Sequence, residues 1–407
     1  MAFQTAPPNL PHSSAHFKIA NYVGIISPII PIGHSESLPR DEPFGVRLTD
    51  RGATFAIGIS PTTHDIIDNR VILGPSDNRI WLMDWQFSLE SFDSLSPDWR
   101  KLQDKLPTSP IFSSPEWSRA WWQEFGSAAR LHLGAVRYQG RTIGIAPLLV
   151  KENVASFIGA DDVCDYLDFV IEPGKEGNFF RVLHGSLVGG GITRLDMAPL
   201  RPDSTVLTSL IDIAHRQGWQ IACSREDVSV ELNLPATWDE YLQMLPGKQR
   251  HELRRKLGRL SEEGDMNYRT STDANSPDVD VFLRLFRDSR QDKAAFLTPS
   301  MESFFRSLAS TMAEMKWLRL SILELNASPV AATLSFDYKS SVYLYNSGYD
   351  PQYGWLSVGV LSKALCIKDS IERGRKRFDF LKGDEEYKYH LGGHEVPLCR
   401  CCISLAE

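Results

Sequence analysis

The sequence predicts an α/β (α+β) protein in which one unit occurs twice, each copy a mixed, mostly antiparallel sheet flanked by helices. Three observations carry this. A helix opened by a Ser-Pro or Thr-Pro pair, followed by a hairpin, stands at 114–151 and again at 298–339. Corresponding positions match: Leu131 and Leu318 open the hairpins, Gly140 and Ala327 sit in the turns, and Ile143 and Val330 enter the returning strands. Each hairpin is then followed by a further strand running into a glycine-bearing turn, SFIGADD in one copy and VYLYNSGYD in the other. Repetition of one supersecondary unit in fixed order is the signature of an internal duplication.

Length and composition agree with two domains. The chain has 407 residues, 42% apolar and 23% charged, as a globular protein with real cores requires. The expected division is an ill-defined extension over 1–78, domains over 79–235 and 236–395, and a C-terminal tail over 396–407. The net charge of −7 disfavours a broad nucleic-acid-binding surface. Six cysteines (Cys164, Cys223, Cys366, Cys399, Cys401, Cys402) are too few for a disulfide framework at this length, and CRCC has no second CxxC to make a metal site. Reduced thiols and a cytoplasmic location are therefore expected. Tyr22–Ile32 is too short to span a bilayer and is broken by Pro28 and Pro31, and Lys18 is the only Lys or Arg before it, which does not suit a secretory signal.

In chain order, structure is expected to resume near Trp81, with a short helix at 96–106. Ser114 is an N-cap with Pro115 and Glu116 in the first turn, and Trp117, Trp121 and Phe125 make one apolar face before Gly126. A hairpin turning at Gln139-Gly140 follows, then a strand and an acidic turn, Asp161 to Asp168. Thr237 with Glu240 forms a capping box, and Pro246-Gly247 separates that helix from a basic one. The basic helix carries Lys248, Arg250, His251, Arg254, Arg255, Lys256 and Arg259, with Leu253, Leu257 and Leu260 as its buried stripe. Its cations suit an anion such as a nucleotide phosphate or an anionic glycolipid head, or equally a solvated face packed on the acidic turns. In the second copy, Phe304, Phe305 and Leu308 mark the helix, and Asn326-Ala327 the hairpin turn.

Two stretches near the C-terminus concentrate the chemistry. In 342–374 a strand with Tyr343 and Tyr345 on one face leads through a loop to a helix starting near Ser357. Small residues there, Ser357 and Gly359, expose N–H groups at the positive end of the helix, an anion site. No GxGxxG, P-loop or GxSxG motif is present, so a Rossmann fingerprint, a P-loop NTPase and an α/β-hydrolase elbow are all unsupported. In Arg377–Gly393, Phe378 and Phe380 alternate with Asp379, and Gly383 breaks the strand into Lys382, Asp384, Glu385, Tyr387, Lys388 and His390.

The motifs SPEWSRAWW, GRTIGIAPLL, DYLDF, KQRHELRRKLGRL, DKAAF, YNSGYDPQYGWLSVG and FDFLKGDEEYKYHLGG resemble the CelD-like (BioF2-like) family of GNAT acetyltransferases, linked to cellulose and envelope polysaccharide synthesis. The resemblance covers about 110–395. The related FemAB/FemX peptidyl transferases also have two GNAT-like domains and end in a G…FK..FG pattern, where this chain has Gly383, Tyr387-Lys388 and Leu391-Gly392.

The resemblance implies tandem GNAT-like domains and transfer of an acyl group from acetyl-CoA, or another acyl-CoA, to an amine or a hydroxyl. It implies cofactor contacts at Ser357, Val358, Gly359, Tyr349 and Tyr353, and oxyanion donors around Asn346 to Gly348. Lys388 would stabilise negative charge or hold an acceptor phosphate, and Asp384 or Glu385 would take the amine proton, with His390 the nearest histidine. Tyr387, Lys293, Arg250, Arg254, Asp165, Tyr166 and Asp168 would bind substrate. The expected acceptor is a sugar or glycolipid precursor, with peripheral contact to a membrane-bound polysaccharide-synthesis complex. The alternatives are a FemX-like transferase using aminoacyl-tRNA and a non-catalytic partner of such a complex.

Overall fold

The computed structural model describes residues 84–405 apart from 107 and 160–162; the expected extension over 1–78, Tyr22–Ile32 and the restart at Trp81 lie outside the described residues. The first copy begins with β1 (Trp85–Leu89), α1 (Phe92–Asp104) and α2 (Pro115–Phe125). It continues with β2 (Arg130–Tyr138), β3 (Arg141–Lys151), β4 (Val154–Phe157) and the two-residue β5 (Val170–Ile171). Then come α3 (Glu176–Gly189), β6 (Arg194–Leu200), α4 (Ile211–Arg216) and β7 (Ile221–Asn233). Two helices follow, α5 (Trp238–Met244) and the basic α6 (Gly247–Glu263). The second copy has β8 (Met266–Ser271), α7 (Asp278–Ser289), α8 (Gln291–Phe296) and α9 (Pro299–Glu314), then β9 (Leu318–Leu325), β10 (Ser328–Tyr338) and β11 (Ser341–Tyr349). It closes with α10 (Val358–Glu372), β12 (Arg377–Lys382), α11 (Glu386–His390) and β13 (His394–Ser404).

The strands form one sheet in the order β1-β2-β3-β4-β6-β13-β7-β12-β11-β10-β9-β8, with β5 beside β3. Read from its two edges, this order shows the duplication. β1 to β4 and β6 match β8 to β11 and β12 one for one, and the sheet is antiparallel except where β4 pairs β6 and β11 pairs β12. The copies then exchange their last strands: β7, from the first copy, pairs β12, while β13, from the second, pairs β6.

This exchange overturns two expectations. Residues 396–407, expected as a tail, instead supply most of β13 at the middle of the sheet, where Leu398, Cys401 and Ile403 are buried. The thiols expected to stay reduced include a bonded pair, because β7 and β13 set Cys223 opposite Cys401 and a disulfide joins them. Their 178-residue separation hides the pairing from any local reading. A third difference is small: α1 starts at Phe92 rather than 96, because Ser91 and Ser94 cap each other reciprocally.

Local signals hold elsewhere. The side chains of Ser114, Thr237 and Thr298 accept from Trp117 N, Glu240 N and Met301 N, as their cap positions require. Trp99, Trp117, Phe282, Phe286, Phe304 and Phe305 fill the larger core, while Tyr241, Leu253, Leu361, Phe378 and Phe380 fill a second one. None of the described helices is long and apolar enough to cross a membrane.

Both duplicated hairpins use turns with two left-handed residues, Gln139 (φ 50°) and Gly140 (φ 76°) in one and Asn326 (φ 49°) and Ala327 (φ 62°) in the other. A Cβ in that region costs about 1 kcal/mol. Ala327→Gly should therefore raise stability by up to about 1 kcal/mol in urea denaturation, and Gly140→Ala should lower it by a similar amount. Equal effects of one sign would contradict the shared turn type.

Candidate functional site

The second copy opens where its two parallel strands part. β11 and β12 pair only over Ser341–Tyr343 and Arg377–Asp379. Beyond that, each is distorted. β11 bulges at Tyr345, since Ser335 pairs Leu344 and Leu334 pairs Asn346. A bulge shifts the alternation by one: Tyr343 and Tyr345 face the larger core while Tyr349 joins the smaller one. Gly348 then lies under α7, where a Cβ would come within 2.3 Å of Phe286 N. On β12 the register against β7 shifts between Asp379 and Leu381, and Leu381 is left-handed at φ 64°. The two ends diverge into a cleft.

One wall is the start of α10. Ser357, the residue before the helix, is left-handed (φ 60°), and its side chain makes no capping bond. Gly359 has the Tyr349 ring 3.0 Å from where its Cβ would be, so no side chain intervenes between the helix start and β11. Tyr353 is half-buried against the smaller core. One turn into the helix, Lys363 is 7% exposed; its Nζ donates to Gly359 O at 2.7 Å and lies 4.8 Å from the Tyr387 ring centroid. Burial, helped by Lys293, lowers its pKa to about 7. Lys293 reaches in from α8, donating to Ser347 O at 2.5 Å beside the Phe286 ring, and burial lowers its pKa to about 8. Asn346 is half-buried on the same strand end.

The other wall is the turn after β12. Lys388 is 2% exposed, and its amine donates to Leu381 O (2.9 Å), Lys382 O (2.7 Å) and Gly383 O (3.0 Å) while pairing with Glu385 at 2.9 Å. With every N–H engaged, it clamps the left-handed strand end. Glu385 is pushed up by burial, but Lys388 outweighs this and holds it below the usual carboxylate range. Asp384 is exposed, and His390 is exposed and paired with Glu386 at 3.2 Å.

The acidic turn of the first copy completes the cleft. Asp165 accepts from Lys382 N at 2.8 Å, and Val163 O accepts from the Tyr345 hydroxyl at 3.1 Å. Tyr166 donates its hydroxyl to Asp379, a fully buried carboxylate that also accepts from Ser229 Oγ and Leu381 N. Arg201 lies 4.9 Å above the Tyr166 ring and pairs with Glu231, which Arg377 also approaches at 3.6 Å. Burial raises the Asp165 pKa to about 6. Asp168 is not brought here. It accepts from Thr205 N and Phe169 N, its pKa is raised by burial to about 7, and it lines a cavity of about 260 Å³ in the first copy that Tyr166 and Arg201 also line.

The basic helix is only partly engaged. Arg250 is half-buried and Arg254 exposed, and neither lines the cavity of about 190 Å³ that Lys248 and Lys256 share with Tyr387 and His390. Arg259 donates to Trp355 O at 2.6 Å and covers the Trp355 ring. The residue missed from the sequence is Lys363. Its signal is a cation inside the apolar run VLSKALCI.

Residues 247–389, from α6 to α11, match a family model described as an acetyltransferase (GNAT) domain. Among solved structures, a crystal structure of FemX is similar at 11% identity and TM-score 0.57, over 78% of this chain and 96% of that one. A conserved protein of unknown function from Bacteroides thetaiotaomicron is similar at 11% identity and TM-score 0.51, over 78% and 99%. At such identities the likeness concerns the fold. No curated protein matches the chain.

The raised Asp165 pKa has a sign that can be checked. Its carboxyl ionises near 3.8 when unfolded and near 6 when folded, so its ionisation costs stability fully above about pH 6 and not at all below about pH 3.8. Asp165→Asn, which still accepts from Lys382 N, should stabilise by at most about 3 kcal/mol at pH 8 and by little at pH 4. A pH-independent difference in thermal unfolding would show that the carboxylate is not strained.

Proposed function

We propose that the chain is an acyl-CoA-dependent N-acyltransferase whose acceptor is an amino sugar or glycolipid precursor of an envelope polysaccharide. The observation that carries this reading is the cleft between β11 and β12, strands inside the segment that matches the GNAT model, with a bare helix start on one side and the half-buried Asp165 of the first copy on the other. The residues suit acyl-CoA: the N–H groups of Val358 and Gly359 would hold its pyrophosphate, and Gly359 and Tyr349 form a wall without a protruding side chain. Acyl-CoA supplies the activated acyl group when bound.

Asp165 takes the proton from the acceptor amine. Its pKa near 6 leaves it ionised at neutral pH yet basic enough to hold a proton. Backbone donors around Asn346 face the developing oxyanion. Lys388 acts as a positioning residue, because it holds the carbonyls of the turn that carries Glu385 and Tyr387. The polysaccharide context rests on the motif resemblance to CelD-like proteins.

A second reading, a transferase that draws on aminoacyl-tRNA, is favoured by the likeness to FemX and by the cations of α6. The non-catalytic alternative requires that the cleft bind no thioester.

Free-thiol release from acetyl-CoA, measured with a panel of amino sugars, decides between them. Turnover is expected with at least one amine, lower by about 10²-fold or more in Asp165→Asn, and Gly359→Trp should abolish CoA binding by driving its side chain into Tyr349. Undiminished turnover in both variants would refute this site. Absence of any CoA-dependent thermal shift would favour the tRNA or non-catalytic readings.

A further inference from the structure

Three lysines reach the cleft, and among the described residues only Lys388 of the three has a carboxylate within ion-pair distance. Lys293, Lys363 and Lys388 converge on it from α8, α10 and α11, and Glu385 is the carboxylate their charges share. Glu385 lies against Lys388, whose three donors are shared among that carboxylate and three carbonyls. Lys293 and Lys363 have no carboxylate within ion-pair distance among the described residues. Each instead donates to a single backbone carbonyl, Ser347 O and Gly359 O, beside an aromatic ring. An ammonium has three donors, so each retains donors for something else. Buried cations are ordinarily paired, since desolvating a charge without a partner is costly. Lys293 lies close enough to Lys363 to help lower its pKa, so an anion held by both would relieve the two together.

We propose that Lys293 and Lys363 together bind a carboxylate at the far end of the acyl chain, so that the preferred donor is the CoA thioester of a dicarboxylic acid. The inference rests on the acyltransferase reading and narrows its donor. Position favours the acyl chain over the cofactor's own phosphates. The helix start that suits a pyrophosphate is at Val358 and Gly359, whereas Lys363 lies a turn further in and Lys293 holds the strand end beside the oxyanion donors. The same two amines would also accept free phosphate, and the experiment separates the two sources.

The test is binding of acetyl-CoA, malonyl-CoA, succinyl-CoA, CoA alone and inorganic phosphate to the full chain, by calorimetry and thermal shift. A dicarboxylic thioester should bind at least about tenfold more tightly than acetyl-CoA, as one charge-assisted contact provides. Lys363→Met should bring the ratio of dicarboxylic to acetyl thioester affinity to within about twofold of one, and should raise the melting temperature of the free protein because a desolvated buried amine is gone. Lys293→Met reads the same preference if Lys363→Met does not fold. Equal affinity for acetyl-CoA and both dicarboxylic thioesters, or an unchanged preference in the variants, overturns the proposal and leaves the acyltransferase reading standing. Phosphate binding that the variants abolish, without a thioester preference, assigns the amines to a phosphate and overturns it too. Failure of every CoA species to bind removes the acyltransferase reading itself.

Discussion

The pairing of β7 with β13 is the constraint on which the rest depends. Each strand belongs by sequence to one copy and completes the sheet of the other. Through this exchange two similar α/β units become one sheet, and the turn after β4 comes to lie against β12. The cleft is therefore composite: its strands and helix come from the second copy, and its half-buried carboxylate from the first. A single copy would present parted strands and a helix start but no Asp165.

The chemistry of the cleft follows from how its strands are distorted. Bulges on β11 and β12 do two jobs, since they part the strands and change which side chains face the opening. A left-handed leucine at the end of β12 is a strained choice, and Lys388 holds it by binding three consecutive carbonyls. The amine that motif likeness marks for catalysis is thus occupied in shaping the turn. The groups free to act on a ligand are those with fewer partners: Asp165 with one backbone N–H, and Lys293 and Lys363 with one carbonyl each.

What the sequence made legible was local. Caps at Ser114, Thr237 and Thr298, the paired hairpin turns and the alternation of Phe378 and Phe380 about Asp379 depend on neighbours within a few residues, and all are found as expected. Repetition of these local units was enough to reveal the duplication. What remained hidden is long-range. Cys223 and Cys401, Tyr166 and Asp379, and Asp165 and Lys382 meet only because the sheet brings together segments about 180 or more residues apart in sequence. Asp165, Tyr166 and Asp168 looked alike as an acidic turn, yet the first two bond to Lys382 N and Asp379 while the third is tied to Thr205. Lys363 escaped notice because a cation in an apolar helix has no meaning until its surroundings are known.

The exchanged strands also bear on how the chain reaches this state. During synthesis β6 and β7 are made long before β13, and until residues 394–404 arrive the first copy lacks its innermost strand. An unpaired strand edge is a template for whatever strand it meets first. Pairing of β6 with β13 therefore has to wait for the last residues of the chain.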